Sequence, residues 1–167
     1  MAGQTCYEVP VGFKHISAKM AESDAIVGGE SSGGMAVRGH IAGKDGIYAA
    51  SLLVEMLAVT GKSVSQLYEE ITDRYGKLCY RDAAFTMTPQ HKAELQHRLF
   101  DLMELPDFGK EPERVNREDG CKVYFADGSW VICRFSGTEP LLRFAAESQI
   151  PGEAEGYIAL WKNALEL

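Results

Sequence analysis

The segment with the clearest capacity for chemistry is residues 134–140, which read RFSGTEP. Arg134 offers a planar fork of donors that matches two oxygens of a phosphate group. Ser136 and Thr138 add hydroxyl groups, and Gly137 has no Cβ, so consecutive backbone N–H groups can turn toward an anion. The combination predicts a phosphate-binding loop. On composition alone, a Ser-Gly-Thr turn beside a surface arginine is the commoner explanation of such a segment.

A second segment, residues 29–34, reads GESSGG. The Glu30 carboxylate can accept hydrogen bonds from two neighbouring hydroxyls of a sugar, and Ser31 and Ser32 add hydroxyls of their own. The surrounding glycines let a ligand approach the backbone closely. The segment is therefore a candidate polyol site, although a flexible loop is by itself the commoner meaning of so many glycines.

Other reactive residue types give no recognised site. Gly61-Lys62-Ser63 resembles the end of a P-loop, but that pattern requires glycine where Met56 stands. Lys14 and Lys44 stand near glycines, and lysines in such positions are most often solvated surface charges. The histidines have no metal-ligand spacing, and they are His15, His40, His91 and His97. No metal site is predicted in this chain.

Composition narrows the class of protein. The chain has 167 residues, 46% of them hydrophobic, and a net charge of −7, which suits one ordinary domain or two small ones. No basic patch is visible, which argues against a nucleic-acid partner, and no run approaches the ~20 apolar residues of a membrane span. Four scattered cysteines are too few for a disulfide scaffold, so a cytoplasmic location is expected.

The helices near the candidate polyol site at residues 29–34 can be predicted from residues typical of helix ends. The first ten residues resemble a strand entered partway. A helical pattern of apolar residues begins near Tyr48 and is stopped by Gly61. Ser63 with Gln66 three residues later predicts a capping box that opens a further helix, which ends at Gly76. A domain boundary is predicted at about residue 78.

The second half predicts a small α+β unit around the other loop. A strand-like segment over residues 77–85 precedes it, Thr88-Pro89 opens a helix, and residues 109–119 form a connection. Three strands and a closing helix with Tyr157 and Trp161 follow, the strands being 121–125, 129–135 and 141–146.

Taken together and in this order, these segments resemble the phosphohexomutases, the phosphoglucomutase and phosphomannomutase family. That family carries a sugar-recognition loop of the form G-E-x-S-G in its third domain and a phosphate loop of the form R-x-S-G-T-E-P in its fourth. Residues 29–33 fit the first form and residues 134–140 fit the second without a mismatch. Residues 11–14 resemble the lysine segment that precedes the sugar loop, and residues 38–40 and 44–47 resemble the stretch that follows it.

The resemblance implies an α/β partial third domain over residues 1–78, followed by a small α+β C-terminal domain, the fourth, over residues 79–167. It implies a C-terminal part of an enzyme that interconverts a hexose 1-phosphate and a hexose 6-phosphate through a phosphoserine and a hexose 1,6-bisphosphate. The family's Ser-His-Asn type loop and its Mg²⁺-binding D-x-D-x-D-R type loop are absent from the chain, so the chain alone is expected to be inactive. Mg²⁺ would be bound by the missing N-terminal domains.

Site residues follow from the same resemblance. The sugar-binding residues would be Glu30, Ser32 and Gly33. The phosphate would be bound by Arg134, Ser136, Gly137 and Thr138. Lys14 and Arg143 are further candidates for contacting the phosphosugar substrate. No catalytic residue and no metal ligand is expected in this chain.

Two other interpretations stay open on the sequence. The chain could be a stand-alone phosphosugar-binding module without catalysis, or a structural domain whose loops are incidental. A third domain without its opening strand would expose a sheet edge, which predicts either a homodimer through that edge or partial disorder before residue 78. The second half is expected to fold independently.

Overall fold

The computed structural model describes residues 3–167, which form two compact units. The first unit extends to Tyr75 and the second is Gly76–Leu167. The sequence placed a boundary at about residue 78, and the first strand of the second unit begins at Cys79.

The first unit contains three helices and a two-stranded antiparallel sheet. Its elements are α1 (Phe13–Ser23), β1 (Val27–Gly29), β2 (Met35–Val37), α2 (Gly46–Thr60) and α3 (Val64–Tyr75). The prediction of a strand in the first ten residues was wrong for the described residues 4–10, which form neither helix nor strand. A strand needs a hydrogen-bonded neighbour, and no described segment pairs with this one.

Local signals fix the ends of these helices as predicted. Gly61 adopts a left-handed conformation (φ 68°) at the end of α2, and its N–H donates to Leu57 O. Ser63 and Gln66 form the capping box: Ser63 N donates to Gln66 Oε1 at 2.8 Å, and Gln66 N donates to Ser63 Oγ at 3.3 Å. The helices are therefore defined by their caps rather than by burial.

Burial in the first unit is slight. Ala36 is the one buried residue among the described residues up to Tyr75. Large apolar side chains of α2 and α3 are exposed instead, among them Val59 at 79% and Ile71 at 57%. No single helix of the described residues is long and apolar enough to cross a membrane. The bent pair α2 and α3 together has the length and composition of a membrane span.

The second unit is a five-stranded antiparallel sheet with two helices. Its strands are β3 (Cys79–Thr86), β4 (Arg114–Asn116), β5 (Cys121–Tyr124), β6 (Trp130–Phe135) and β7 (Leu141–Ser148). Its helices are α4 (Pro89–Gln96), which continues as a π-helical turn over His97–Asp101, and α5 (Glu153–Ala164).

The sheet has the strand order β3-β7-β6-β5-β4. The predicted hairpin, third strand and closing helix are confirmed. The prediction that residues 109–119 are only a connection was wrong, because β4 pairs there with β5. Its three residues lie in a polar stretch that shows no strand periodicity, and the pairing depends on the tertiary neighbour rather than on local pattern.

One face of this sheet carries the core. Alternate residues of the central strands are buried on that face, together with Leu95 and Leu99 of the α4 segment and Trp161 of α5, all three at 0% exposure. The opposite strand residues point away from this core. This alternation fixes which side chains of β6 and β7 remain available beside the loop that joins them.

Candidate functional site

The first loop is the turn of the β1–β2 hairpin. Glu30 N donates to Gly34 O at 2.8 Å, and Gly33 N donates to Glu30 O at 2.9 Å. Gly33 has a φ of 91°, which a side chain would strain. The hairpin holds the Glu30 carboxylate at the first position of a tight, glycine-dependent turn.

Glu30 is bound by Lys44, from the segment before α2. Lys44 Nζ donates to Glu30 Oε2 at 2.9 Å, and the Glu30 side chain is 19% exposed. Ser32 Oγ lies 3.5 Å from the same oxygen. A Cβ on Gly34 would lie only 2.4 Å from Lys44 Cδ, so the glycine makes room for the ion pair. The structure thus brings Glu30, Ser32 and Gly33 together and adds Lys44.

The sequence did not predict the contact of Lys44 with Glu30, because Lys44 was interpreted as a surface charge. The sequence feature that could have indicated this contact is the position of Lys44 directly before Asp45, the N-cap of α2. Asp45 Oδ1 accepts from Ile47 N and Tyr48 N at 3.0 Å each, and Asp45 Oδ2 lies 2.9 Å from His40 Nε2. The bond from Tyr48 N is the main cause that lowers the pKa of Asp45, followed by the bond with His40. A rigid cap thereby positions the adjacent lysine.

Lys14, the other lysine candidate, lies exposed in the first turn of α1. It makes no hydrogen bond or ion pair with the described part of the chain. Its neighbour Phe13 contacts the site instead, because Lys44 Nζ lies 5.5 Å from the centroid of that ring. The start of α1 is therefore beside the Glu30–Lys44 pair, and Lys14 remains an unassigned cation there.

The second loop joins β6 to β7 in the second unit. Ser136 N donates to Leu141 O at 2.8 Å, which closes the loop at its base. Ser136 is buried, and its Oγ accepts from Glu139 N at 3.2 Å and from Thr138 N at 3.5 Å. The sequence suggested that these N–H groups turn toward a ligand, but two of them turn toward Ser136. Ser136 therefore shapes the loop from within, while Gly137 and Thr138 are exposed.

Arg134 and Arg143 are direct partners across β6 and β7. Both project from the sheet face opposite the core, since their neighbours Cys133 and Phe144 are buried. Like charges that face each other across strands destabilise a sheet unless an anion lies nearby. Arg143 Nη2 donates to Glu139 Oε2 at 2.5 Å. Arg134 has no hydrogen bond or ion pair with the described residues, and is available to an external anion.

A cavity of about 290 Å³ lies against this loop. Residues 136–140 form one wall, and Met87–Pro89 with Lys92 form the other. A Cβ on Gly137 would meet no atom within 4 Å, so the space above that residue is open. The loop therefore borders a space that can take a small group, with hydroxyls and exposed backbone on its surface.

Gly120 is a further residue that the sequence did not mark. Its φ is 98°, and a Cβ there would lie 2.4 Å from Cys133 O and 2.9 Å from Arg134 Cα. Gly120 thus allows the turn before β5 to press against the backbone that carries Arg134. A lone glycine next to Asp119 reads as an ordinary turn, so only the tertiary contact reveals this role.

No group of three or more His, Cys, Asp or Glu side chains within residues 3–167 is arranged to hold a metal ion. The side chains of the two loops would also not suit Mg²⁺, which prefers carboxylates and water. Glu30 and Glu139, the carboxylates of these loops, are each bound by a cation of the chain.

These features describe the class of protein: an α/β unit with a carboxylate at the turn of a hairpin, followed by a small α+β unit in which two arginines flank the β6–β7 loop. Comparison with protein-family models gives two matches. Residues 1–75 match the phosphoglucomutase/phosphomannomutase alpha/beta/alpha domain III, and residues 88–160 match the C-terminal domain of the same family. The chain belongs to the phosphoglucomutase/phosphomannomutase family.

Individual relatives agree with this assignment. The chain is 28% identical over 164 residues to a phosphoglucomutase/phosphomannomutase of Thermococcus kodakarensis, covering 98% of this chain and 34% of the relative. It is 30% identical over 157 residues to a phosphoglucosamine mutase of Solibacter usitatus, covering 93% of this chain and 31% of the relative. The chain thus spans about a third of the length of these curated relatives.

A solved structure extends the likeness to the fold. The crystal structure of a "putative phosphomannomutase" from Thermus thermophilus matches with a TM-score of 0.68 and 27% identity, covering 95% of this chain and 30% of that one. The α/β partial third domain and the small α+β C-terminal domain expected from the sequence are confirmed as the fold class.

Proposed function

We propose that this chain is the substrate-binding C-terminal portion of a phosphohexomutase that interconverts hexose 1-phosphates and hexose 6-phosphates. The observation that carries the proposal is the loop at residues 136–140, which borders a cavity and lies beside the unpaired Arg134. The guanidinium of Arg134 can donate two parallel hydrogen bonds to phosphate oxygens. The hydroxyl of Thr138 and the open backbone at Gly137 supply further polar contacts.

Arg143 is assigned a supporting role at this site. Its ion pair with Glu139 holds the end of the loop in the free protein. When a phosphate dianion binds near Arg134, the added negative charge offsets the repulsion between the two arginines. Binding would therefore relieve an unfavourable pairing in the sheet as well as add new hydrogen bonds.

Sugar hydroxyls are assigned to the first loop, at Glu30 and Ser32, with Gly33 allowing close approach. Lys44 supports this assignment because it keeps Glu30 Oε2 fixed and leaves the other carboxylate oxygen for a hydroxyl donor. Lys14 is exposed near the same place and is a further candidate for the phosphosugar.

The whole reaction is assigned to the longer protein. A phosphoserine there transfers its phosphoryl group to the free sugar hydroxyl: the serine O–P bond breaks, the proton of the hydroxyl passes to the released serine oxygen, and a hexose 1,6-bisphosphate forms. The intermediate then turns, and its other phosphoryl group returns to the serine. Mg²⁺ in the longer protein would neutralise charge on the transferring group. This chain has no Ser-His pair and no Asp-x-Asp, so its role is to hold the phosphate and hydroxyls that are not reacting.

Positioning by the non-reacting end has a physical benefit. Binding energy gained at a remote phosphate aligns the reacting hydroxyl and lowers the barrier to transfer. Because either phosphate can be the remote one, the site must accept the sugar in two orientations. A loop of hydroxyls and backbone groups suits this demand better than a tightly shaped pocket.

A partner is also assigned to the first unit. Its exposed apolar side chains on α2 and α3 would be covered by the N-terminal domains of the longer enzyme. In their absence, two copies of the chain would associate through the unpaired edge of the first unit. Sedimentation velocity tests this: the chain should dimerise alone and become a 1:1 complex when the N-terminal domains are added. A monomer that ignores those domains would contradict the assignment.

The binding proposal is tested by NMR titration of the ¹⁵N-labelled chain with glucose 1-phosphate. Shift changes should centre on residues 134–138 and should be lost in Arg134→Ala. Arg114→Ala is the matched control, because it removes the same charge from β4 at the far edge of the same sheet. Equal binding by Arg134→Ala and Arg114→Ala would overturn the phosphate assignment. Measurable mutase turnover by the purified chain would overturn its proposed inactivity.

A further inference from the structure

Lys92 lies across the cavity from the phosphate loop, on an element that the sequence motif does not include. It sits near the start of α4, where Thr88 Oγ1 accepts from His91 N at 3.2 Å and caps the helix. Leu95 of the same helix is fully buried in the core, which fixes the rotation of the helix. The side of the helix that carries Lys92 is therefore held toward the loop.

The Lys92 side chain reaches the base of that loop. Its Nζ lies 5.9 Å from the centroid of the Phe135 ring, and Phe135 is the residue directly before Ser136. Lys92 also lines the 290 Å³ cavity together with residues 136–140. Small-molecule sites typically measure about 300–1,000 Å³, so this cavity suits one small group rather than a whole ligand.

The ammonium of Lys92 forms no ion pair with a carboxylate of the described residues. No ion pair or hydrogen bond joins its ammonium to a residue within the described part of the chain, although the side chain is half-buried. The cavity contains one acidic residue, Glu139, and that carboxylate is bound by Arg143. A half-buried ammonium that faces a cavity without a counter-ion makes the cavity favourable for an anion.

We propose that Lys92 is a phosphate-binding residue of this site, contacting from the α4 side a phosphate that lies against residues 136–140. This inference rests on the proposed phosphate function of residues 134–140. An ammonium supplies a compact charge with three donors, which suits a dianionic phosphate. The phosphate site then spans two elements that are distant in sequence, α4 and the β6–β7 loop.

The test is a titration of the full chain with inorganic phosphate and with glucose 1-phosphate, followed by ¹⁵N NMR. Lys92→Met keeps the length of the side chain and removes the charge. It should lower the affinity for both ligands about tenfold, which is the order expected when one charge-assisted hydrogen bond is lost. Lys92→Arg should retain most of the affinity.

Lys162→Met is the matched control. Lys162 is a lysine of α5 in the same unit, and its Nζ also lies against a phenylalanine, 5.2 Å from the centroid of the Phe85 ring. It does not line the described cavity. This variant should bind both ligands as the unaltered chain does, which separates a local contact from a general loss of positive charge.

The outcomes separate this inference from the function it rests on. If Lys92→Met binds phosphate normally while Arg134→Ala does not, the role of Lys92 is overturned and the phosphate function stands. If the unaltered chain, shown to be folded by its amide spectrum, binds neither ligand, both are overturned. Equal weakening by Lys92→Met and Lys162→Met would also overturn the role of Lys92.

Discussion

The two units of this chain bury their apolar residues to very different extents. In the second unit, a single core unites one face of the sheet with α4 and α5, and Trp161, Phe144 and Phe125 are each exposed by 1% or less. In the first unit, Ala36 is the one buried residue among those described, and α2 and α3 present large apolar side chains to solvent. Both units nevertheless have well-defined helix caps and turns.

The difference separates two sources of structure. Caps and turns specify where helices begin and end, but most of the stability of a helix in a protein comes from packing. The second unit has both, and its β6–β7 loop is joined to a sheet with a buried core. The first unit has the local signals with little packing of its own, so we expect its carboxylate loop to be the less stable of the two.

The largest expected effect comes from removing a core ring. Phe144→Ala should destabilise the second unit by about 3–5 kcal/mol, because the buried ring leaves a cavity. Met56→Ala in α2 is the counterpart in the first unit, where the side chain is 42% exposed, and should cost less than about 0.5 kcal/mol. Chemical denaturation measures both, followed by Trp fluorescence for the second unit, which contains Trp130 and Trp161, and by circular dichroism for the helices of the first. A comparable loss in the two variants would remove the contrast between the units.

A smaller effect is expected at Gly120. Gly120→Ala places a Cβ against the backbone of Cys133 and Arg134 at a φ of 98°, so the turn or the strand must shift. We expect a loss of about 1–3 kcal/mol together with weaker phosphate binding. Gly128→Ala is the control, because Gly128 also has a positive φ of 84° but a Cβ there would meet no atom within 4 Å. If the two variants bind phosphate equally, Gly120 does not position Arg134.

A pH-dependent effect is expected from the ion network around Lys110. Its Nζ donates to Asp127 Oδ2 at 2.6 Å and to Glu153 Oε1 at 3.0 Å. The bond from Lys110 is the main cause that lowers the pKa of Asp127 to about 2 from an ordinary 3.8. Burial raises the pKa of Glu153, but hydrogen bonds from Ser148 and Lys110 outweigh it and lower that pKa overall.

The direction of the pH dependence of stability follows from the lowered pKa values of Asp127 and Glu153. A carboxyl group with a depressed pKa in the folded state adds stability above its unfolded pKa and loses it as the pH falls through the folded pKa. The second unit should therefore lose stability between about pH 4 and about pH 2. Lys110→Met should flatten this part of the melting-temperature profile and cost about 1–2 kcal/mol at neutral pH. An unchanged profile would show that the network does not stabilise the unit.

The smallest expected effect lies in the first unit, at Lys44. The Lys44–Glu30 pair is largely solvent-accessible on the lysine side, at 52%, and such pairs contribute about 0–1 kcal/mol. Lys44→Ala should therefore leave the melting temperature nearly unchanged while altering the glucose 1-phosphate shifts of residues 29–34. Lys19→Ala, which removes a lysine paired with Glu22 on α1, is the control. Identical shifts in both variants would mean that Lys44 does not organise Glu30.

Local signals and tertiary contacts differ in how far the sequence could predict them. The capping box at Ser63, the stop at Gly61 and the Thr88-Pro89 start are local signals, and each was predicted correctly. The loop motifs were likewise visible, since they are contiguous. Contacts between distant segments could not be predicted. The pairing of β4 with β5 and the contact of Gly120 with Arg134 both depend on tertiary neighbours. The roles proposed for Lys44 and Lys92 could not be predicted, because a single lysine has no sequence pattern that distinguishes a binding residue from a surface charge.

The measurement that tests the account most directly is residue-resolved amide hydrogen exchange of the full chain, with and without glucose 1-phosphate. The strands β5, β6 and β7 should be protected by orders of magnitude more than α2 and α3 in the free chain. The ligand should then slow exchange at residues 134–140. Equal protection of both units, or no ligand-dependent change at residues 134–140, would contradict a phosphate loop carried by an independently packed C-terminal unit.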